Sequence, residues 1–110
     1  MTVKQNLGSN LESLHKTINE RKTVGNQEGS YTAKILNKGS DYIAQKVGEE
    51  AVEMIIAATK RSKDETISES ADVLYHMMVL WVSLGISPLE VSEELENRKA
   101  YSGIEEKNSR

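Results

Sequence analysis

Ile43-Ala44-Gln45-Lys46-Val47-Gly48-Glu49-Glu50-Ala51-Val52-Glu53-Met54-Ile55-Ile56-Ala57-Ala58 decides the fold of this chain. Ile43, Val47, Ala51, Met54, Ile55 and Ala58 recur at three- and four-residue spacing, which predicts the inward face of a helix. Glu50 and Glu53 point together to one side of that helix. A second acidic motif, Glu69-Ser70-Ala71-Asp72, has the same spacing and also runs into an apolar helical segment. Ionised carboxylates beside a hydrophobic core are costly unless something compensates their charge. Between the motifs, Arg61-Ser62-Lys63 is a short link of the kind that joins antiparallel helices. Antiparallel packing brings Glu50, Glu53, Glu69 and Asp72 into one small volume.

Outward from this hairpin the signals stay helical, and β signals are nearly absent. Ser9-Asn10-Leu11-Glu12 reads as a capping box, with Leu11, Leu14 and Ile18 carrying a helical stripe over 11–21. The glycines and polar residues of 22–30 predict a loop. Ser30 caps a short helix over 31–38, and Gly39 suits the left-handed position that ends it. Ser40 or Asp41 caps the long helix to about residue 60, and Asp64 caps the next, which ends at Gly85. Ser87-Pro88-Leu89-Glu90 combines an N-cap, a proline in the first turn and a capping-box Glu, starting a last helix to about 98. Residues 100–110 read as a polar tail. The expectation is an all-α bundle of about five helices.

Segment 73–84 is apolar nearly all round, and a helix of that kind must be surrounded by others. A chain of 110 residues, one domain (1–110) by length, has few other long helices to cover it. An obligate homodimer with this helix near the interface is the economical expectation.

Composition narrows the class. With 28% charged and 37% apolar residues the chain falls in the soluble globular range. No run approaches the roughly 18 apolar residues of a membrane span, and residues 1–6 lack the apolar stretch of an export signal. The absence of cysteine rules out disulfides and thiolate metal sites and fits a reducing cytoplasm. A net charge of −3 and few aromatic residues argue against a nucleic-acid partner.

The bland reading of Glu49, Glu50 and Glu53 is a solvated helix face with Lys46 as an i,i+4 partner. The second stripe, Glu65–Glu69–Asp72–His76, shifts the balance, because like charges three and four apart repel. Two such stripes on consecutive helices point to a cation site. Four carboxylates without cysteine form a hard, oxygen-rich set suited to Mg²⁺ or Mn²⁺ rather than Zn²⁺. Such a site neutralises and orients a polyphosphate and acidifies the water that attacks phosphorus.

The paired motifs Glu-x-x-Glu and Glu-x-x-Asp on a helical hairpin resemble the all-α nucleoside triphosphate pyrophosphatase superfamily, the MazG-like and dUTPase-like enzymes. Ser30-Tyr31-Thr32-Ala33-Lys34, Gly39, the block from Ile43 to Glu53, Ala71-Asp72-Val73-Leu74-Tyr75-His76 and Ser102-Gly103-Ile104-Glu105-Glu106-Lys107 are similar to one branch, the phosphoribosyl-ATP pyrophosphatases. That resemblance implies Mg²⁺-dependent hydrolysis of phosphoribosyl-ATP between its α and β phosphates, in histidine biosynthesis, by a dimeric enzyme. Glu50, Glu53, Glu69 and Asp72 match its metal-binding positions. Glu49 and Glu50 are the catalytic candidates, with Glu49 open to three roles: support of a ligand, a second-metal ligand, or a base for the water. In many organisms this domain is fused to a cysteine-using zinc cyclohydrolase, and this cysteine-free chain resembles the stand-alone form.

Lys34, Lys38 and Lys46 are candidates for phosphate contacts, with Lys34 and Lys46 foremost. Lys46 shares the stripe of Glu50. His76 reads as a satisfied core histidine rather than a ligand, and Gly48, costly within a helix, suggests close packing or substrate approach. Two competing functions remain in view: a house-cleaning pyrophosphatase for non-standard nucleoside triphosphates, and a helical dimerisation module without catalysis.

Overall fold

Among the described residues five α-helices follow one another: α1 (Leu7–Val24), α2 (Tyr31–Lys38), α3 (Ser40–Thr59), α4 (Lys63–Leu84) and α5 (Pro88–Arg98). The structure, a computed structural model, describes residues 5–24 and 30–99, and among these there is no strand. The expected all-α bundle is what the chain forms. Part of the expected loop at 22–30 and the whole polar tail lie outside the described residues.

Local chemistry sets most helix ends. Ser30 Oγ accepts from the Ala33 N–H, and Ser87 and Glu90 form the expected capping box ahead of α5. Gly85, at φ 73° and ψ 27°, closes α4 in a Schellman motif: its N–H bonds to the Val82 carbonyl (3.2 Å) and the Ile86 N–H to that of Trp81 (2.8 Å).

Four end assignments differ from expectation. α1 starts earlier, because Asn6 Oδ1 accepts from the Ser9 N–H (2.8 Å) while Ser9 Oγ accepts from the Asn6 N–H (3.2 Å). Ser9 thus closes the box from inside the helix instead of opening it. Gly39 has positive φ (95°) but an extended ψ of 168°, outside the left-handed helical region. Neither Ser40 nor Asp41 caps α3: both lie within it, and Ser40 Oγ instead pairs with Ser83 Oγ on α4 at 2.6 Å. Ser62, not Asp64, caps α4 through the Glu65 N–H (3.3 Å).

The turn between α3 and α4 is a second Schellman motif: Arg61 N–H reaches the Ala58 carbonyl (3.0 Å) and Ser62 N–H that of Ala57 (3.3 Å). Arg61 occupies the left-handed position, at φ 62°. So short a link between two long packed helices makes them antiparallel, as the acidic motifs require. α1 leans on α4 and α2, and α2 bridges α1 and α3. Ile18, Ile35, Ile43, Met78, Val79 and Val82 close the core between them.

Two packing expectations are corrected. On α3, Ile43 is buried and Val47, Ala51 and Met54 are partly so, but Ile55 and Ala58 face outward and Ala57 takes the inward place. The segment 73–84 is largely covered within one chain: Met78, Val79 and Val82 are buried, and Tyr75, Met77, Leu80 and Trp81 pack against them. Leu84 at its end is exposed, and further exposed apolar side chains lie outside it: Leu7 on α1, Val52, Ile55 and Ile56 on α3, Ile67 on α4, and Leu89 and Leu95 on α5. Among the described residues a Cβ added at Gly48 meets nothing within 4 Å, so close packing against them is not why a glycine stands there.

Candidate metal centre

Glu50 of α3 and Glu69 and Asp72 of α4 each offer a carboxylate oxygen within 4.8 Å of the others. Glu50 and Glu69 are partly buried, Asp72 exposed, so the cluster sits in the helix–helix groove and opens outward. Partial burial raises the Glu69 carboxyl above its ordinary range, and Asp72, Glu53, Glu50 and Glu65 push it further the same way. Three crowded carboxylates with only oxygen donors fit a hard divalent cation, which replaces their mutual repulsion with attraction.

The other acidic candidates stand around this triad. Glu53, one turn beyond Glu50, lines a polar cleft of about 220 Å³ with Lys60, Glu65 and Glu69. Glu49 is exposed, takes a hydrogen bond from Gln45 Nε2 (3.0 Å) and pairs with Lys46 at 3.5 Å. Lys46 Nζ also lies 3.8 Å from Glu50 Oε1, which joins it to the triad. Burial pulls the Lys46 ammonium down, but Tyr31, Glu49 and Glu50 outweigh it and hold it raised. Lys34 is exposed on α2 and, among the described residues, makes no ion pair with the cluster. Lys38 lies over the Tyr42 ring, 4.6 Å from its centroid.

Behind Asp72 sits a group that spacing did not reveal. His76, 6% exposed, is a satisfied core histidine, as expected. Its Nδ1 donates to the Asp72 carbonyl oxygen (2.8 Å), so in the neutral ring Nε2 is an acceptor, and the Tyr31 hydroxyl donates to it at 3.1 Å. Thr32 Oγ1 and the Tyr75 hydroxyl share a second hydrogen bond between α2 and α4.

A family model described as Phosphoribosyl-ATP pyrophosphohydrolase matches residues 11–99. The chain belongs to that family. Among its relatives, the Phosphoribosyl-ATP pyrophosphatase of Azospirillum brasilense is 51% identical over 100 residues, covering 91% of this chain and 89% of the relative. That of Paramagnetospirillum magneticum is 50% identical, with 91% of each chain covered. The similarity extends to Saccharolobus solfataricus, whose protein of the same name is 45% identical over 81% of this chain and 94% of the relative. In this member of the phosphoribosyl-ATP pyrophosphohydrolase family the matched span contains what α2, α3 and α4 contribute to the site, from Tyr31 through His76.

Proposed function

We propose that the chain hydrolyses phosphoribosyl-ATP to phosphoribosyl-AMP and pyrophosphate, a step of histidine biosynthesis, with Mg²⁺, or Mn²⁺ in its place. Family membership and relatives matched over nearly their whole length support the substrate. The observation that carries the chemistry is the Glu50–Glu69–Asp72 triad with the Lys46 ammonium beside it.

When bound, the cation supplies charge neutralisation for the phosphates and acidifies water in its shell. Glu50, Glu69 and Asp72 would hold it, with Glu53 adding negative charge from the adjoining cleft. Lys46 binds phosphate oxygens at the edge of the cluster, and Lys34 is the second basic contact. Glu49, exposed and next in sequence to Glu50 but outside the triad, is the carboxylate left to take the proton of the attacking water. The water oxygen bonds to phosphorus, the α–β anhydride bond breaks, and pyrophosphate departs.

The working unit in this reading is a single domain, 1–110, in the cytoplasm, assembled as a homodimer. No single helix among the described residues is long and apolar enough to cross a membrane. The homodimer is supported by the exposed apolar face of α3, where Val52 and Ile55 are 53% and 55% exposed and Ile56 lies beside them. The same face carries Gly48, whose missing side chain leaves room for a second copy.

The deciding experiment compares pyrophosphate release from phosphoribosyl-ATP, dUTP, dCTP and ITP, with Mg²⁺ and with EDTA. Cleavage of phosphoribosyl-ATP that EDTA abolishes is expected. Preference for the simple triphosphates makes the chain a house-cleaning enzyme, and no Mg²⁺-dependent release from any of them sinks the catalytic reading.

A further inference from the structure

Among the described residues Tyr31 is the one aromatic side chain that stands exposed rather than partly buried, at 50%. It is nevertheless fixed at two points. Its hydroxyl donates to Nε2 of the buried His76 at 3.1 Å. Its ring stacks on Tyr75, with centroids 6.3 Å apart and planes 26° from parallel. Tyr75 is itself held, by a hydrogen bond to Thr32 Oγ1 and by the His76 ring edge-on at 5.0 Å. The result is a rigid aromatic surface left half open, which forgoes apolar burial that folding would otherwise gain.

Its place beside the acidic triad follows from the same hydrogen bonds. His76 Nδ1 donates to the Asp72 carbonyl at 2.8 Å. Two hydrogen bonds and one imidazole ring therefore join the Tyr31 hydroxyl to the backbone of a triad residue. Asp72 and His76 stand four residues apart on α4 and share the face that also carries Glu69. Tyr31, seated on His76, continues that stripe one turn past Asp72. On α2 the exposed Lys34 follows Tyr31 at three-residue spacing and so lies on the same side.

The triad accounts for the phosphates of a nucleotide and leaves the base unplaced. An aromatic face binds a base without hydrogen-bond readout, because every base has a π-face of its own. A ring already fixed by its neighbours loses little further freedom when a base stacks on it.

We propose that the exposed side of the Tyr31 ring is the stacking platform for the adenine base, a specificity-determining contact one turn from the phosphate-binding triad. The proposal rests on the nucleotide substrate proposed above.

Two ligands test it by calorimetry with Mg²⁺: α,β-methylene-ATP, which cannot be cleaved between its α and β phosphates, and inorganic tripolyphosphate, which has no base. Tyr31→Phe and Tyr31→Leu both lose the hydroxyl and its bond to His76, and only Tyr31→Leu loses the aromatic face. Tyr31→Leu weakens binding of the ATP analogue about tenfold and leaves tripolyphosphate within about twofold. Tyr31→Phe stays within about threefold of wild type for both ligands. In turnover, Tyr31→Leu raises KM for phosphoribosyl-ATP and keeps kcat within about threefold, the pattern of lost ground-state binding. Tyr31→Trp, with a larger face, binds the analogue at least as tightly as Tyr31→Phe, and this comparison decides the question should Tyr31→Leu not fold. Equal loss of both ligands in a folded Tyr31→Leu marks a structural role and overturns the proposal. So does a Tyr31→Phe as weak as Tyr31→Leu, which marks the hydroxyl, or a changed sedimentation of Tyr31→Leu, which marks a subunit contact. Unchanged analogue binding in Tyr31→Leu, or none in the wild type, overturns it as well. A wild type that binds the analogue but leaves phosphoribosyl-ATP intact overturns the proposed function instead, and the variants still decide the role of the ring.

Discussion

Glu50 on α3 and Glu69 on α4 hold carboxylate oxygens within 4.8 Å of each other across the helical hairpin. The partly buried Glu69 carries the cost of that approach, and its raised carboxyl registers desolvation first and then four neighbouring carboxylates. A cluster of this kind opposes its own folding until a cation joins it. The geometry therefore serves binding, and the following outcomes separate binding from stability.

Glu50→Gln, Glu69→Gln and Asp72→Asn each lower kcat/KM by about 10²–10³-fold, since loss of a metal ligand removes a few kcal/mol of transition-state stabilisation. Glu53→Gln also loses most activity. Far-ultraviolet circular dichroism stays that of a helical protein in all four. Near-normal pyrophosphate release in any two of them removes the metal-cluster assignment.

Stability of the metal-free protein should depend on pH through Glu69. Its folded-state carboxyl lies above the ordinary value of 4.5, so the folded chain binds this proton more tightly than the unfolded chain does. The penalty is fully present above the raised folded value and is relieved as pH falls through it toward 4.5. Glu69→Gln accordingly melts higher than wild type at neutral pH without metal, and the difference closes on acidification. Saturating Mg²⁺ favours the wild type, because a ligand of the native state stabilises the chain that binds it best. Equal melting curves at every pH contradict this account.

Arg61→Gly should stabilise the fold by about 0.5–1 kcal/mol, the left-handed strain removed exceeding the entropy that glycine adds to the unfolded chain. Arg61 sits at φ 62° in the turn between α3 and α4, where a side chain is a liability. Chemical denaturation checks the sign, and a lower midpoint with unchanged slope counts against it.

Ile55→Lys and Met77→Lys should fail in different ways. Ile55 is exposed on α3, so a lysine there leaves each subunit folded and splits the proposed dimer. Met77 packs on the core cluster, so a lysine there costs on the order of 2–4 kcal/mol and lowers the melting temperature steeply. Sedimentation and circular dichroism distinguish the two. A wild type that sediments as an active monomer at micromolar concentration removes the homodimer.

Local chemistry made much of this protein legible before any packing was known. Ser30, Ser87 with Glu90, and Gly85 mark helix ends because capping involves groups only a few residues apart. The acidic motifs are equally plain, since a three-residue spacing places two side chains on one side of any helix. A short link then brings the pairs together, and Glu50, Glu69 and Asp72 meet as the spacing implies, with Glu53 in the adjoining cleft.

Other features belong to tertiary structure alone. Val52, Met54, Ile55, Ile56, Ala57 and Ala58 are nearly continuous, so periodicity admits more than one inward face, and the packing of α4 against α3 selected Ala57 over Ile55 and Ala58. Nothing in an arginine asks for a left-handed conformation; the reversal between two packed helices imposes it on Arg61. Tyr31 and His76 stand 45 residues apart, and their hydrogen bond exists because α2 and α4 pack together. Capping and helical spacing are short-range and can be read one turn at a time. The choice of buried face and the partner of a buried polar atom depend on where other helices come to lie, which no single turn contains.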